Sequence, residues 1–159
     1  MGNLIASLAL LKSRVKDIRG RYTPCFNLTS VEERDGTWVD GILNLPSGTQ
    51  RLTMDSNYRV CGLDDWQRVI EWDFVDQKQY LKDLFDCEDF AFHFKSRCAY
   101  HFGLNSVGLV IDWSAGHGYN VILLSDGRML VYEPQTDEYW ELKERPGEAY
   151  KMANAIILL

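Results

Sequence analysis

Apolar residues recur at helical spacing near the start of the chain. They stand three or four positions apart with charged residues between them: Leu4, Leu8, Leu11, Val15 and Ile18. This pattern predicts an amphipathic helix that ends near Gly20. Packing onto the core is the expected fate of its apolar face.

A longer helix is predicted from Cys87 to about Phe102. Asp86 is placed to cap its N-terminus, and Asp89 follows three residues later as in a capping box. Gly103 is placed to end the helix, because glycine readily adopts the left-handed conformation of a C-terminal cap.

The segment between these helices has a different pattern. Residues from Tyr22 to about Val60 are rich in Thr, Val, Trp and Tyr, and this composition indicates short strands. Turns are predicted at Asp35-Gly36 and Ser47-Gly48. A short helix through Trp66, Val69 and Ile70 follows, for which Asp64 or Asp65 could be the N-cap.

The last third of the chain predicts strands. Their expected bounds are Val107 to Asp112, Gly118 to Leu124, Met129 to Glu133, Tyr139 to Leu142 and Ala155 to Leu159. The predicted fold is α+β, with one long helix packed on an antiparallel sheet. We expect one domain over residues 1–159, with an N-terminal part (1–57) of unclear role and a core from residue 58 to 159.

Composition limits the function classes. The 159 residues carry a formal charge of −6, which speaks against a nucleic-acid partner. The longest apolar run, Leu4 to Leu11, is far short of a membrane span. Four cysteines are too sparse for a disulfide scaffold, so we expect free thiols in a reducing, cytoplasmic compartment. A homodimer is a further hypothesis.

Cys87 is the candidate nucleophile. A helix N-terminus favours the thiolate form of a cysteine, although a small apolar residue at a helix end is the commoner role. A thiolate mechanism needs a base. His93 points away from Cys87 around the helix, and His101 lies about 21 Å along its axis. His117 is therefore the one histidine that the tertiary fold could bring to Cys87.

Glu133 is the candidate for orienting His117, on one condition. A two-residue turn at Asp126-Gly127 would turn Glu133 away from His117. A three-residue loop with a left-handed Gly127 would instead place Glu133 opposite Tyr119, diagonal to His117 and on the same face.

Three motifs carry a resemblance to a known family. They are Asp86-Cys87-Glu88-Asp89-Phe90-Ala91, Gly116-His117-Gly118-Tyr119-Asn120 and Glu133-Pro134-Gln135-Thr136. From about Tyr58 to Leu159 the chain resembles the papain-like cysteine-protease domain at the C-terminus of the Marasmius oreades agglutinin. It is more loosely similar to bacterial and phage transglutaminase-like cysteine peptidases. The sugar-binding repeats of the agglutinin are absent, so a lectin role is not expected.

The resemblance implies a cysteine peptidase with a polypeptide substrate. Cys87 would be the nucleophile, His117 the general base and Glu133 the residue that orients it. Calcium-dependent activity is also implied, with Asp89 as a ligand. Independently of the resemblance, a hard cation would offset the carboxylates of Asp86, Glu88 and Asp89 beside the thiol, although acidic residues at a helix start can also act as caps alone.

The sequence leaves other points open. Trp113 is expected near a substrate cleft, and Gln77, Gln79 or Tyr80 could reach the oxyanion. Two alternatives to a peptidase remain. One is a catalytically inactive papain-like domain that acts as a binding or structural module, and the other is a transglutaminase.

Overall fold

A computed structural model of the protein describes residues 7, 10–12, 14, 22–144 and 147–159. Most of the predicted first helix lies outside the described residues. The described positions within it are helical, and Leu11, which belongs to its apolar face, is 59% exposed. Among the described residues, no helix is long and apolar enough to cross a membrane.

The described part of the chain contains eight strands in two sheets. The strands are β1 (Glu32–Asp35), β2 (Thr49–Leu52), β3 (Asn57–Val60), β4 (Val107–Asp112), β5 (His117–Leu123), β6 (Met129–Glu133), β7 (Glu138–Glu141) and β8 (Ala155–Leu158). The main sheet has the order β2-β8-β4-β5-β6-β7, and β1 pairs with β3 in a separate two-stranded sheet. The predicted strands of the last third are thus present, with ends that differ by at most one residue.

Within residues 22–144, three α-helices accompany the sheets: α1 (Gly36–Ile42), α2 (Leu63–Trp72) and α3 (Cys87–Phe102). Helix α3 packs on β4 and β5. Phe90 and Phe94 of α3 belong to the apolar cluster between helix and sheet, together with Ile122. A second apolar cluster, which includes Tyr119 and Val121, covers the opposite side of β5 because successive side chains of a strand alternate between faces.

The predicted bounds and caps of α3 are confirmed. The N–H of Asp86 donates to Asp89 Oδ2 at 3.3 Å as part of a capping box. At the other end Gly103 has φ 64°, and its N–H donates to the Ala99 carbonyl at 3.0 Å. Both signals are local in sequence, and both act as local rules predict.

Two sequence predictions about aspartates are wrong. Asp35-Gly36 is not a hairpin turn; instead the Asp35 side chain caps α1 by accepting from the Trp38 N–H at 2.8 Å. Gly62 rather than Asp64 or Asp65 is the N-cap of α2. Asp65 is buried and accepts from the backbone N–H groups of residues 29 and 30, each at 2.7 Å.

The α+β class is confirmed, but the main sheet is mixed rather than antiparallel. Strand β2 pairs with β8 in parallel, and the other neighbours in that sheet are antiparallel. The Ser47–Gly48 turn precedes β2, as predicted. A Cβ on Gly48 would lie 2.2 Å from the Ala153 carbonyl oxygen, so the chain passes β8 closely there. Residues before Tyr58 therefore contribute a strand to the main sheet.

Candidate functional site: the start of helix α3 and the β5–β6 hairpin

The β5–β6 hairpin has the three-residue loop that the site requires. Gly127 is left-handed, with φ 85°, and the Leu124 N–H donates to the Arg128 carbonyl at 2.9 Å. Asn120 pairs with Tyr132, which sets the register of the hairpin. The three-residue loop is thus present, as the placement of Glu133 near His117 required. Glu133 is one residue beyond the Asn120–Tyr132 pair.

His117 and Glu133 are in direct contact. His117 Nε2 lies 2.7 Å from Glu133 Oε2. Glu133 is only 4% exposed, and its other contacts hold it in place. The Tyr150 hydroxyl donates to Oε2 at 3.0 Å, while the backbone N–H of Gln135 donates to Oε1 at 3.2 Å. The hairpin therefore presents a fixed imidazole–carboxylate pair.

The Cys87 thiol lies where α3 begins against β5. It accepts a hydrogen bond from the Gly118 N–H and lies 3.5 Å from Glu88 Oε2. The close approach of α3 to β5 requires a glycine at position 118, because a Cβ there would lie 2.8 Å from the Glu88 Cα. Gly118 thus allows the first turn of α3 to rest directly on the strand.

The electrostatics of this turn disfavour a thiolate. Burial raises the pKa of the Cys87 thiol, and the Glu88 carboxyl raises it further, while the Gly118 N–H opposes them. The side chains of Asp86 and Glu88 hydrogen bond to each other, which raises the pKa of Glu88 and lowers that of Asp86. Burial is the largest of the effects on Cys87.

Cys87 and His117 are not hydrogen bonded to each other among the contacts of the described residues. The His117 ring instead packs at 5.5 Å, centroid to centroid, from the rings of Tyr119 and Tyr150. Gly118, the next residue in β5, is the one that faces the first turn of α3.

The three expected substrate-contacting residues are all at the surface. Trp113 is 59% exposed in the turn between β4 and β5, and its N–H donates to the Asn154 carbonyl at 2.9 Å. Tyr80 is 48% exposed. Desolvation and the charges of Asp86 and Cys87 raise the pKa of Tyr80, which places its phenol beside the start of α3. Gln79 is exposed.

Two of the three predicted metal ligands, Asp86 and Glu88, lie close together at the start of α3. The ligand atoms of Asp86, Cys87 and Glu88 lie within 4.8 Å of one another. Asp86 Oδ1 is also buried without a hydrogen-bond partner among the described residues. The two carboxylates suit a hard cation such as Ca²⁺, whereas the thiol does not. Asp89 is not in this group, because its carboxylate accepts from the Asp86 N–H in the capping box.

Sequence reasoning missed two residues that hold Glu133. Gln135 has a local signal, since an amide two residues after a carboxylate in a turn can fold back onto it, and its Nε2 lies 3.3 Å from Glu133 Oε1. Tyr150 has none. It lies in a short 3-10 helix, Glu148–Tyr150, and is 17 residues from Glu133, so its contact with Glu133 depends on the tertiary fold.

Comparison with known proteins assigns the chain to a family. The model of the ricin-type β-trefoil lectin C-terminal domain matches residues 36–146. The chain belongs to this family. The match starts before Tyr58, where the motif resemblance begins, and includes β2. A search of curated proteins found no match.

Two solved structures share the fold. One is described as the PSL1a–E64 complex, with 22% identity and a TM-score of 0.60. The other is Polyporus squamosus lectin bound to the human-type influenza-binding epitope Neu5Aca2-6Galb1-4GlcNAc, with 21% identity and a TM-score of 0.59. Each match covers 80% of this chain, which spans about half of the solved chains, 51% and 49% respectively.

These findings correct the functional prediction. The assignment as a cysteine peptidase, and with it the enzyme class, is wrong, because the chain belongs to a lectin C-terminal domain family and one of the two structural neighbours is described as a lectin. The glycan in the second structure likewise differs from the predicted polypeptide substrate.

Proposed function

We propose that this chain is a binding module. It keeps the helix-on-sheet layout of papain-like domains and binds a glycan at the surface over the start of α3. Trp113 in the β4–β5 turn carries the proposal, because it is a large apolar ring left 59% exposed beside the His117 strand. Tryptophan is enriched at binding surfaces, because its ring offers a large apolar area together with an N–H donor.

The aromatic side chains supply the apolar part of the recognition. A pyranose ring has one face made of C–H groups, and this face packs on an aromatic ring with release of water. Trp113 and Tyr80 are both exposed. The phenol of Tyr80 lies near the charged groups at the start of α3, and Trp113 lies in the turn that leads into β5, whose Gly118 meets the first turn of α3. Neither needs to move in order to meet a ligand.

Charged groups supply the polar part. Sugar hydroxyls donate to carboxylates and accept from N–H groups, and Asp86 and Glu88 offer the former. We propose that these two carboxylates hold a Ca²⁺ ion, with Asp89 acting as a helix cap rather than as a ligand. Bound Ca²⁺ accepts oxygen ligands in its open coordination positions, so it would contribute direct contacts to sugar hydroxyls.

The remaining site residues act as framework. Tyr150 and Gln135 hold Glu133, which in turn orients the His117 imidazole at the rim of the surface. The protonated thiol of Cys87 fills the space against the Gly118 N–H. In this proposal the constellation Cys87, His117 and Glu133 shapes a ligand surface instead of moving protons.

A glycan microarray tests the proposal. The wild-type chain is applied with Ca²⁺ and with a chelator, beside the variants Trp113→Ala and Glu88→Gln. Phe92→Ala is the matched control, because Phe92 is a 52% exposed aromatic residue of α3 outside this surface. We expect glycan binding by the wild type and by Phe92→Ala, and at least about tenfold weaker binding by Trp113→Ala.

The chelator and the Glu88→Gln variant test whether a bound cation takes part in glycan binding. Glu88→Gln and chelator should weaken binding by a similar factor, and the two effects should not add. Absence of glycan binding by the wild type would contradict the proposal, and so would binding that neither variant changes. Cleavage of a peptide substrate that is lost in His117→Ala would contradict it as well.

A further inference from the structure

A second groove lies at the opposite end of α3. It consists of two adjoining cavities of about 540 and 420 Å³, and Arg59 lines both. We call it the Arg59 groove; Phe26, Asn27 and Tyr100 line one cavity, and Glu33 and Asn57 line the other. The helix has 16 residues, so the groove is about 24 Å along its axis from Cys87.

Arg59 is fixed in the centre of this groove. Its backbone N–H donates to Asn105 Oδ1 at 2.8 Å, and its guanidinium donates to the Phe102 carbonyl at 3.3 Å. Gly103 makes this position possible, because a Cβ there would lie 2.4 Å from Arg59 Nη1. Among the described residues, no carboxylate forms an ion pair with Arg59. Glu33, which lines the second cavity, is the cross-strand partner of Arg59 but makes no ion pair with it, so the exposed guanidinium remains available to a ligand.

Aromatic residues form a rigid wall beside the cation. Phe26 and Phe102 pack with ring centroids 5.4 Å apart, and the Arg68 guanidinium lies 4.4 Å from the Phe26 ring centroid. Arg68 also donates to the Asn27 carbonyl at 3.1 Å, which anchors the lip of the groove. Tyr100 stands next to this wall with 84% of its surface exposed.

We propose that the Arg59 groove binds an oligosaccharide that carries a carboxylate. The carboxylate pairs with the Arg59 guanidinium in the two-pronged geometry that arginine favours, and a pyranose face packs on Tyr100. Neighbouring sugar hydroxyls reach the side-chain amide of Asn27. Since the cavities continue past Arg59 to Asn57 and Glu33, the groove suits a chain of sugars better than a single ring.

A titration followed by amide NMR spectra of the full chain tests this inference. The probe is trigalacturonic acid, and its fully methyl-esterified form is the uncharged comparison. We expect the acid to shift the signals of Arg59, Tyr100 and Gly103. Binding of the ester should be at least about tenfold weaker, because a hydrogen bond between two charged groups contributes more than one with a neutral partner.

Variants separate this site from the surface at the start of α3. Arg59→Gln and Tyr100→Ala should each weaken binding of the acid about tenfold. Arg128→Gln, at the β5–β6 loop, is the matched control and should bind as the wild type does. Trp113→Ala and chelator should also leave binding unchanged, so failure of the proposed function would not affect this result. Equal binding of acid and ester would overturn the inference, as would undiminished binding by Arg59→Gln or no binding by the wild type at millimolar probe.

Discussion

The buried carboxylate of Glu133 lies 2.7 Å from the His117 imidazole, measured from Oε2 to Nε2, and it is the centre of a hydrogen-bond cluster. The imidazole, the Tyr150 hydroxyl and the Gln135 backbone all contact this one carboxylate. Because a buried carboxylate is costly unless its acceptor capacity is used, the cluster is also a stability element of the hairpin.

Removal of the Glu133 carboxylate should therefore destabilise the protein. We expect Glu133→Ala to lower the free energy of unfolding by about 2–3 kcal/mol, since it leaves several donors without a partner. Tyr150→Phe removes one of these contacts and should cost about 1 kcal/mol. Urea unfolding followed by circular dichroism measures both. The exposed neighbour Glu138→Ala is the control and should stay within about 0.5 kcal/mol of the wild type.

The contact of α3 with β5 depends on Gly118. A Cβ on Gly118 would lie 2.8 Å from the Glu88 Cα and 2.9 Å from its N, and backbone atoms cannot rotate away. Gly118→Ala should thus lower the free energy of unfolding by about 2 kcal/mol or more. Gly116→Ala is the matched control. It meets open space and strains only its positive φ of 62°, so it should cost about 1 kcal/mol. Equal effects of the two substitutions would show that α3 does not rest on Gly118.

Asp137 gives the protein a specific pH dependence. Burial raises the pKa of its carboxyl from 3.8 to about 6, although the Tyr132 hydroxyl donates to it at 2.7 Å. Between about pH 4 and pH 6 the unfolded chain loses this proton while the folded chain keeps it. The free energy of unfolding should therefore fall as pH rises through this window, with the full loss present above pH 6.

Asp137→Asn tests this dependence. The amide keeps an acceptor for Tyr132 and tolerates the positive φ of 60° at this position. We expect the variant to be about 1 kcal/mol more stable than the wild type at pH 7, and to show a smaller decline between pH 4 and pH 6. Thermal unfolding across this pH range measures the difference, with Glu138→Gln as control. A less stable variant at pH 7 would refute the assignment.

The parts of the site that sequence could predict are those with local signals. The caps of α3 involve residues three positions apart, and the left-handed Gly127 sets the loop and so the register of Glu133 against β5. Tyr150 and the parallel strand β2 could not be predicted, because their contacts join distant parts of the chain.

The error about function also has a local origin. A cysteine at a helix N-terminus, followed by Gly-His-Gly, indicates a nucleophile and its base, but the pattern does not give the direction of the His117 side chain. In the structure Gly118 faces α3 and the imidazole packs with Tyr119 and Tyr150. Burial beside Glu88 then raises the pKa of the thiol that the helix dipole alone would lower.

Cysteine reactivity is the most direct test of the central claim, that the Cys87 site is a binding surface without an activated thiol. The native protein is alkylated with iodoacetamide at neutral pH, with Ca²⁺ and with chelator, and peptide mass spectrometry follows the modification of Cys87 and of the exposed Cys25. The account predicts that Cys87 reacts no faster than Cys25 in either condition, and that His117→Ala leaves its rate unchanged. Rapid labelling confined to Cys87 that is lost in His117→Ala would contradict the account.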